Sequence, residues 1–279
     1  MNSKYKNANH STKLVTKGEV TYVTFPLLQK EGLIHGFSTR LGGVSKGYFS
    51  SMNLSFQRGD REEDVRENYK RIGEAIGFSP ENLVFSDQIH EDTIYSVTKD
   101  DCGKGYTKEL LKGNDGLVTN ERQVPLVTFY ADCVPIFFYD PVKKVIGMAH
   151  SGWRGTVKRI GCKMLSKMQT EYGSKVEDIL VVIAPSICKD CYEISEDVAN
   201  EFKKEMKEIS TELYLEEKGN GKYQLDLWKV NEEMLLRAGV QREHLAVTDL
   251  CTCCNPELFF SHRASEGKRG NLAGFMMLS

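Results

Sequence analysis

No stretch of the sequence approaches the roughly 20 consecutive apolar residues of a membrane-spanning helix, and residues 1–20 are polar, without the apolar centre of a secretory signal. The expectation is a cytoplasmic protein with no membrane partner. Charge of one sign is also missing. The 37 Lys and Arg stand against 39 Asp and Glu, so there is no electrostatic ground for a nucleic-acid partner. Linkers rich in Pro, Gly or Ser, low-complexity runs and internal repeats are absent, and the 279 residues divide simply into a polar N-terminal segment, 1–25, and one large domain, 26–279. Histidine is scarce, six in all with no H-x-H pair, which argues against an imidazole-rich multinuclear metal cluster. Cysteine is not scarce. Eight are present, but a chain of this length without a secretory signal has no need of disulfide staples, and reduced thiols are expected.

Periodicity points to a mixed fold. Short apolar runs at 83–85, 126–130, 136–139, 145–149, 179–183 and 245–247 read as buried strands. Asp140-Pro141, followed by two lysines, is turn chemistry, so the strands on either side of it should be neighbours in one sheet. Three helices are expected. The first opens on an Asp60/Glu63 capping box and carries Val65, Tyr69, Ile72 and Ile76 as far as Gly77. The second runs from about Thr156 to Gly173, with Val157, Ile160, Met164, Leu165 and Met168 on one face, and its first amides could favour an anion. The third runs from Asp226 to Gly239. The fold class is α+β: a single-domain α/β sandwich of mixed β-sheets flanked by helices.

The chemistry concentrates at strand ends. Cys133 lies between two apolar runs, His150 closes a third, and His90 follows a fourth after a short polar link. One thiolate and two imidazoles suit zinc, and three protein ligands leave the fourth tetrahedral position open for water or substrate. Asp132 places a carboxylate beside the thiol in apolar surroundings, which costs energy unless a cation or hydrogen bonds hold it. The Ser151-Gly152-Trp153-Arg154-Gly155 loop after His150 has the look of a ligand-facing turn. A metal-free alternative makes Cys133 a nucleophile and His150 its base, as in a cysteine hydrolase. Elsewhere, Cys188-x-x-Cys191 and Cys251-x-Cys253-Cys254 offer a superficial four-cysteine site. The C-x-C-C spacing is cramped for a zinc knuckle, and reduced thiols at a pocket rim are the simpler expectation.

Six separated motifs in order, HGFSTRLGGVSKG followed by MNLS, QIH, FYADCVPI, AHSGWRGT, IAPSICKDCYEIS and CTCCNPELFFSHR, resemble the bacterial purine nucleoside phosphorylase family of the YfiH and YlmD type. That family was formerly labelled multicopper polyphenol oxidase and includes the laccase-domain proteins of animals. The likeness spans roughly residues 30 to 279. It implies that His90, Cys133 and His150 are zinc ligands, and that the enzyme cleaves purine nucleosides by phosphorolysis and deaminates adenosine, with methylthioadenosine as a further substrate. Where the family often has adjacent cysteines before Tyr-Glu, this chain has Cys188-Lys189-Asp190-Cys191. Copper-dependent oxidation is the poorest reading, given six histidines.

Phosphorolysis requires a phosphate site. The Gly-rich stretch 39–47 is the first candidate, with Arg40 as a planar donor fork, although it lacks Walker A spacing. Within family-like motifs, Asn53, Arg154 and Arg263 are further substrate-binding candidates, and Asp132 is a candidate for ligand orientation or proton transfer. The expected partners are purine nucleosides and phosphate, in a monomer or small homo-oligomer.

Overall fold

The computed structural model describes residues 4–6 and 10–279. Strands β1 (Lys13–Lys17), β2 (Val20–Thr24) and β3 (Leu33–Ser38) precede helix α1 (Glu62–Ile76). Then come β4 (Val84–Phe85), β5 (Ile94–Ser96), β6 (Gly116–Thr119), β7 (Leu126–Tyr130), β8 (Val134–Asp140) and β9 (Val145–Ser151), followed by α2 (Trp153–Val157) and α3 (Ile160–Tyr172). The remainder comprises β10 (Leu180–Ile183), β11 (Glu193–Ser195), α4 (Glu196–Glu205), β12 (Leu215–Gly219), β13 (Lys222–Leu225), α5 (Leu227–Arg237), β14 (Leu245–Val247) and β15 (Leu272–Leu278).

Two six-stranded sheets, ordered β1-β2-β3-β15-β7-β4 and β14-β10-β8-β9-β6-β5, form the body, with a small β11-β13-β12 sheet beside them. Residues 13–24, within the stretch 1–25 set apart on sequence, supply β1 and β2 of the first sheet. Both large sheets are mixed: β4–β7, β5–β6 and β10–β14 pair parallel, the other large-sheet pairs antiparallel.

Strand alternation explains the layering. Along β8, Phe137 and Tyr139 enter the core between the two sheets, while Ile136 and Phe138 enter the core beneath α3 and α5. Along β15, Leu272, Met276 and Leu278 join the inter-sheet core, and Ala273, Phe275 and Met277 pack with Val65, Tyr69 and Ile72 of α1. These strands are buried on both faces, so they read as continuous apolar runs. The result is helix, sheet, sheet, helix: the sandwich expected from the sequence.

Two helix starts differ from expectation. α1 begins at Glu62 after Arg61, with no side-chain cap. Asp60 instead accepts hydrogen bonds from the Arg61 amide and from Asn53, so the Asp60/Glu63 capping box does not form. Three acidic residues in the first turn still complement the helix dipole, and Gly77 ends the helix at φ 109°. The second expected helix is two: α2 stops at Val157 and α3 starts at Ile160, with Arg159 between them in the left-handed region at φ 60°. The third is as read, with the Asp226 carboxylate accepting from the Lys229 amide at 2.9 Å.

Gly274 marks a close approach of the two sheets. A Cβ there would stand 2.7 Å from Met148 Cε and 2.8 Å from Phe137 Cζ. Gly274→Ala should therefore destabilise the fold by about 1–3 kcal/mol, the usual cost of overpacking. Urea unfolding of the variant should show a lower midpoint with unchanged slope; an unchanged midpoint would mean that the sheets are not packed as described.

Candidate metal centre

The site forms where the chain crosses from the first large sheet to the second, between β4 and β5 and between β7 and β8. Antiparallel pairing of β8 with β9 sets Pro135 opposite His150, which brings Cys133, one residue before β8, alongside the end of β9. His90 arrives from the loop that leaves β4 in the first sheet and enters β5 in the second. The donor atoms of His90, Cys133 and His150 all lie within 4.8 Å of one another. The two imidazole rings stand 4.9 Å apart, nearly perpendicular at 85°. His150 is buried, Cys133 half-buried and His90 exposed, so the group opens outward on one side.

A residue the sequence reading missed holds this arrangement. The fully buried Asp115 carboxylate accepts from His150 Nδ1 at 2.9 Å, from the His90 amide at 3.0 Å and from the Glu91 amide at 2.8 Å. His150 thereby donates from Nδ1–H to Asp115 and turns Nε2 toward the site, the usual carboxylate–histidine pairing behind a metal ligand. Burial raises the Asp115 carboxyl, but the His150 bond and the amides overcome it and hold the carboxyl below its ordinary value. The only hint in the sequence was Asn114-Asp115-Gly116 just ahead of an apolar run, which looks like an ordinary turn.

Backbone strain is concentrated here. Gln88 (φ 60°), His90 (φ 64°) and Asp132 (φ 92°) are all non-glycine residues in the left-handed region, each costing on the order of 1 kcal/mol. Gln88 anchors its loop by donating to the Phe129 carbonyl and accepting from the Phe129 amide. Asp132 accepts from Thr252 Oγ1 at 2.7 Å, Ser261 Oγ at 3.0 Å and the Arg263 amide at 2.7 Å. The network that a carboxylate beside a thiolate requires is thus present. It ties the Cys133 turn to two C-terminal loops.

The donor set fits a metal. Burial pushes the Cys133 thiol up, but the facing His150 and His90 rings reverse this and bring it down to about 6. Burial likewise lowers His150, and Cys133 and Asp115 together raise it to about 9. A thiolate and an imidazolium therefore share the space, and a divalent cation there takes the place of the proton. Gly152 leaves room for it: a Cβ at that position would sit 3.2 Å from Cys133 Sγ and 3.6 Å from both rings.

Two cavities meet at the triad. The first, about 360 Å³, is walled by Phe56, Phe85, Phe129 and Tyr130 with polar groups from Gln88 and Asn271. The second, about 430 Å³, is lined by Trp153, Tyr192, Arg154, His262 and Arg263. His90, Ala131, Cys133 and Arg269 border both. Arg154 lies over the Trp153 ring at 4.3 Å, and Arg263 is braced by the Cys191 and Glu193 carbonyls. Asn53 is fully buried behind the first cavity, where its amide bonds to Ser55, Asp60 and Asn271 fix the wall without contacting the space.

Arg40 departs from expectation. Its guanidinium donates to the Ser50 and Pro256 carbonyls, stacks over Phe260 at 4.6 Å, and borders neither cavity. Three of its five N–H groups are directed at backbone carbonyls away from the site, so here Arg40 acts as a structural brace between loops. The cation that borders both cavities is Arg269. Its Nε is buried without a hydrogen-bond partner among the described residues, and burial, with Arg58 nearby, lowers it to about 10. A largely buried guanidinium beside a second arginine, with no carboxylate paired to it among the described residues, is a setting that favours an anion.

The chain is similar to several known proteins. The multi-copper polyphenol oxidoreductase laccase family matches residues 34–279. Purine nucleoside phosphorylase YlmD of Bacillus subtilis (strain 168) is 39% identical over 246 residues, which is 88% of each chain. The crystal structure of the Bacillus licheniformis hypothetical protein YfiH superposes with a TM-score of 0.90 at 33% identity, covering 95% of this chain and 99% of that one. That of YlmD from Geobacillus stearothermophilus gives 0.87 at 34% identity, covering 99% of both. Sequence and fold together show that the chain belongs to the YlmD/YfiH-type purine nucleoside phosphorylase family, the family that carries the laccase description.

Proposed function

We propose that this chain is a zinc-dependent purine nucleoside phosphorylase acting on adenosine, inosine and related nucleosides, methylthioadenosine among them, with adenosine deaminase activity, and that it works in the cytoplasm. One observation carries the reading: a single open three-donor site, His90, Cys133 and His150, shared by an aromatic cavity and a cationic one. The names of the relatives point the same way.

The purine stacks in the aromatic cavity against Phe85, Phe129 and Tyr130, with Gln88 and Asn271 offering polar edges. Phosphate binds on the other side of the shared wall, where the Arg269 guanidinium borders the cavity, Arg154 adds positive charge and His262 adds a ring N–H donor. Ribose C1′ then lies between the two. A phosphate oxygen forms the new bond to C1′ as the C1′–N9 bond breaks, the electron pair leaves with the purine, and the base takes up a proton. Arg269 stabilises charge on the attacking phosphate, and Arg263, braced from behind, shapes the cavity. Asp132 acts by positioning, since its three hydrogen bonds fix the turn that presents Cys133. In deamination, water adds its oxygen at C6 and ammonia leaves. Zinc bound at the triad supplies Lewis acidity to both reactions.

A cysteine-hydrolase reading draws support from the low Cys133 and raised His150 values. It gives no part to His90, whose strained backbone and Asp115-held amide aim a second imidazole at the same point. The metal reading uses all three.

Inosine should yield hypoxanthine and ribose 1-phosphate only when phosphate is present, and adenosine should also lose its amino group. Product identification by mass spectrometry checks both; ribose released at the same rate without phosphate would make the enzyme a hydrolase. For Arg269→Gln, KM for phosphate should rise about 10-fold or more, the scale of one charged hydrogen bond of roughly 1.5–3 kcal/mol, while KM for inosine changes little. Steady-state kinetics with phosphate varied at saturating inosine decides it, and an unchanged phosphate KM would move the phosphate site elsewhere.

A further inference from the structure

Behind the wall of the cationic cavity lies a second group of donors that the reaction does not use. Cys188 precedes and Cys191 ends a short 3-10 turn, Lys189–Cys191, and Cys251 and Cys254 bracket a turn on the neighbouring loop. A bridge between Ser186 and Cys251, with the Thr252 amide donating to the Ser186 carbonyl at 3.1 Å, holds the two loops side by side. All four sulfurs lie within 4.8 Å of one another. The spacing that looked cramped in the sequence resolves once Cys253 is set aside. Cys251 and Cys254 make a C-x-x-C pair that matches Cys188 and Cys191, and two such pairs from separate loops are the usual frame of a structural zinc site.

We propose that Cys188, Cys191, Cys251 and Cys254 form a second, structural zinc site, distinct from the His90–Cys133–His150 centre. The geometry suits it. A tetrahedron with zinc–sulfur bonds of about 2.3 Å has sulfur–sulfur edges of about 3.8 Å. The Cys188–Cys254 and Cys191–Cys254 separations are 3.9 and 3.4 Å, far longer than a disulfide bond. Cys251 Sγ accepts from two backbone amides, those of Cys188 at 3.2 Å and Cys254 at 3.4 Å, and amides aimed at a sulfur favour its negative form. Four thiolates around a divalent ion leave a net charge of −2. The Lys6 ammonium, 3.0 Å from Asp190, also faces Cys188 and Cys254 and offsets part of it. Cys188 and Cys251 are buried while Cys191 and Cys254 are half-buried, so the site is closed on the protein side and reachable from the rim.

Its place in the fold gives it a task. Ile187, Tyr192 and Arg263 line the cationic cavity, and the Cys191 carbonyl accepts from Arg263. Thr252, between the two cysteines of its loop, donates to Asp132. A metal clamp here would lock the two loops that brace Arg263 and Asp132, and so stiffen the wall without touching substrate.

Zinc content of the full-length protein, measured by elemental analysis after desalting through a weak chelator, tests the proposal separately from the catalytic reading. The wild type should carry two zinc ions per chain, Cys133→Ala one, and Cys191→Ser/Cys254→Ser one. Cobalt loaded into Cys133→Ala should show the intense thiolate-to-cobalt charge-transfer bands of a four-sulfur tetrahedral site. If the active-centre assignment alone is wrong, Cys133→Ala keeps the wild-type zinc content while the double cysteine variant still loses one ion. Should that variant fail to fold, alkylation of the wild type read by mass spectrometry replaces it: Cys191 and Cys254 should be protected with zinc present and become labelled after strong chelation, relative to Cys102. Equal labelling before and after chelation, recovery of the four cysteines as disulfides, or unchanged zinc in a folded double variant would overturn the second site.

Discussion

One buried carboxylate organises the centre of this molecule. Asp115 accepts hydrogen bonds from His150 Nδ1–H and from the amides of His90 and Glu91, so it fixes the tautomer of one ligand and the backbone of another in a single contact set. Its own backbone is tied in as well, since the His150 amide donates to the Asp115 carbonyl at 2.8 Å. Without it, the His90 loop would have little reason to hold a left-handed conformation, and His150 would be free to present either ring nitrogen. The low-dielectric surroundings make such a carboxylate costly to leave unpaired, and that cost enforces the geometry.

The sandwich provides the stiffness against which this arrangement is strained. The β8–β9 hairpin is buried on both faces, between the inter-sheet core and the core under α3 and α5, and so Cys133 and His150 are set by a doubly packed part of the fold. His90 comes from a more exposed loop and bridges the two sheets. Strained residues Gln88, His90 and Asp132 gather at that junction, each held by side-chain or backbone bonds that outweigh the local cost. The two cavities are a consequence of the same layout: the first opens toward the aromatic residues of the first sheet, the second toward the C-terminal loops.

Much of this was legible in the sequence, for physical reasons. Fully buried strands leave continuous apolar runs, so Cys133 and His150 stood out at their ends, and the Asp140-Pro141 turn correctly announced the hairpin. Helix faces in α1, α3 and α5 followed from apolar spacing. What could not be read were interactions between residues far apart in the chain. Asp115 looks like one more turn residue. Arg40 has the chemistry of an anion site, but it turns its guanidinium to the Ser50 and Pro256 carbonyls, away from both cavities, which sequence spacing cannot reveal. Arg269, with no motif around it, emerges only when burial and an unmatched Nε are seen together. The break at Arg159 also went unseen, because the apolar stripe continues in phase across it.

The central claim is that Asp115 sets His150 and His90 for metal binding, and the most direct measurement is the zinc affinity of Asp115→Asn by competition with a chromogenic chelator. The substitution keeps size but places an amide donor where two backbone N–H groups and an imidazole N–H now find acceptors. The account predicts a native-like circular dichroism spectrum with zinc bound about 10–100-fold more weakly at the triad, the range for loss of a carboxylate behind a metal-bound histidine. Wild-type zinc affinity in a folded Asp115→Asn protein would contradict it.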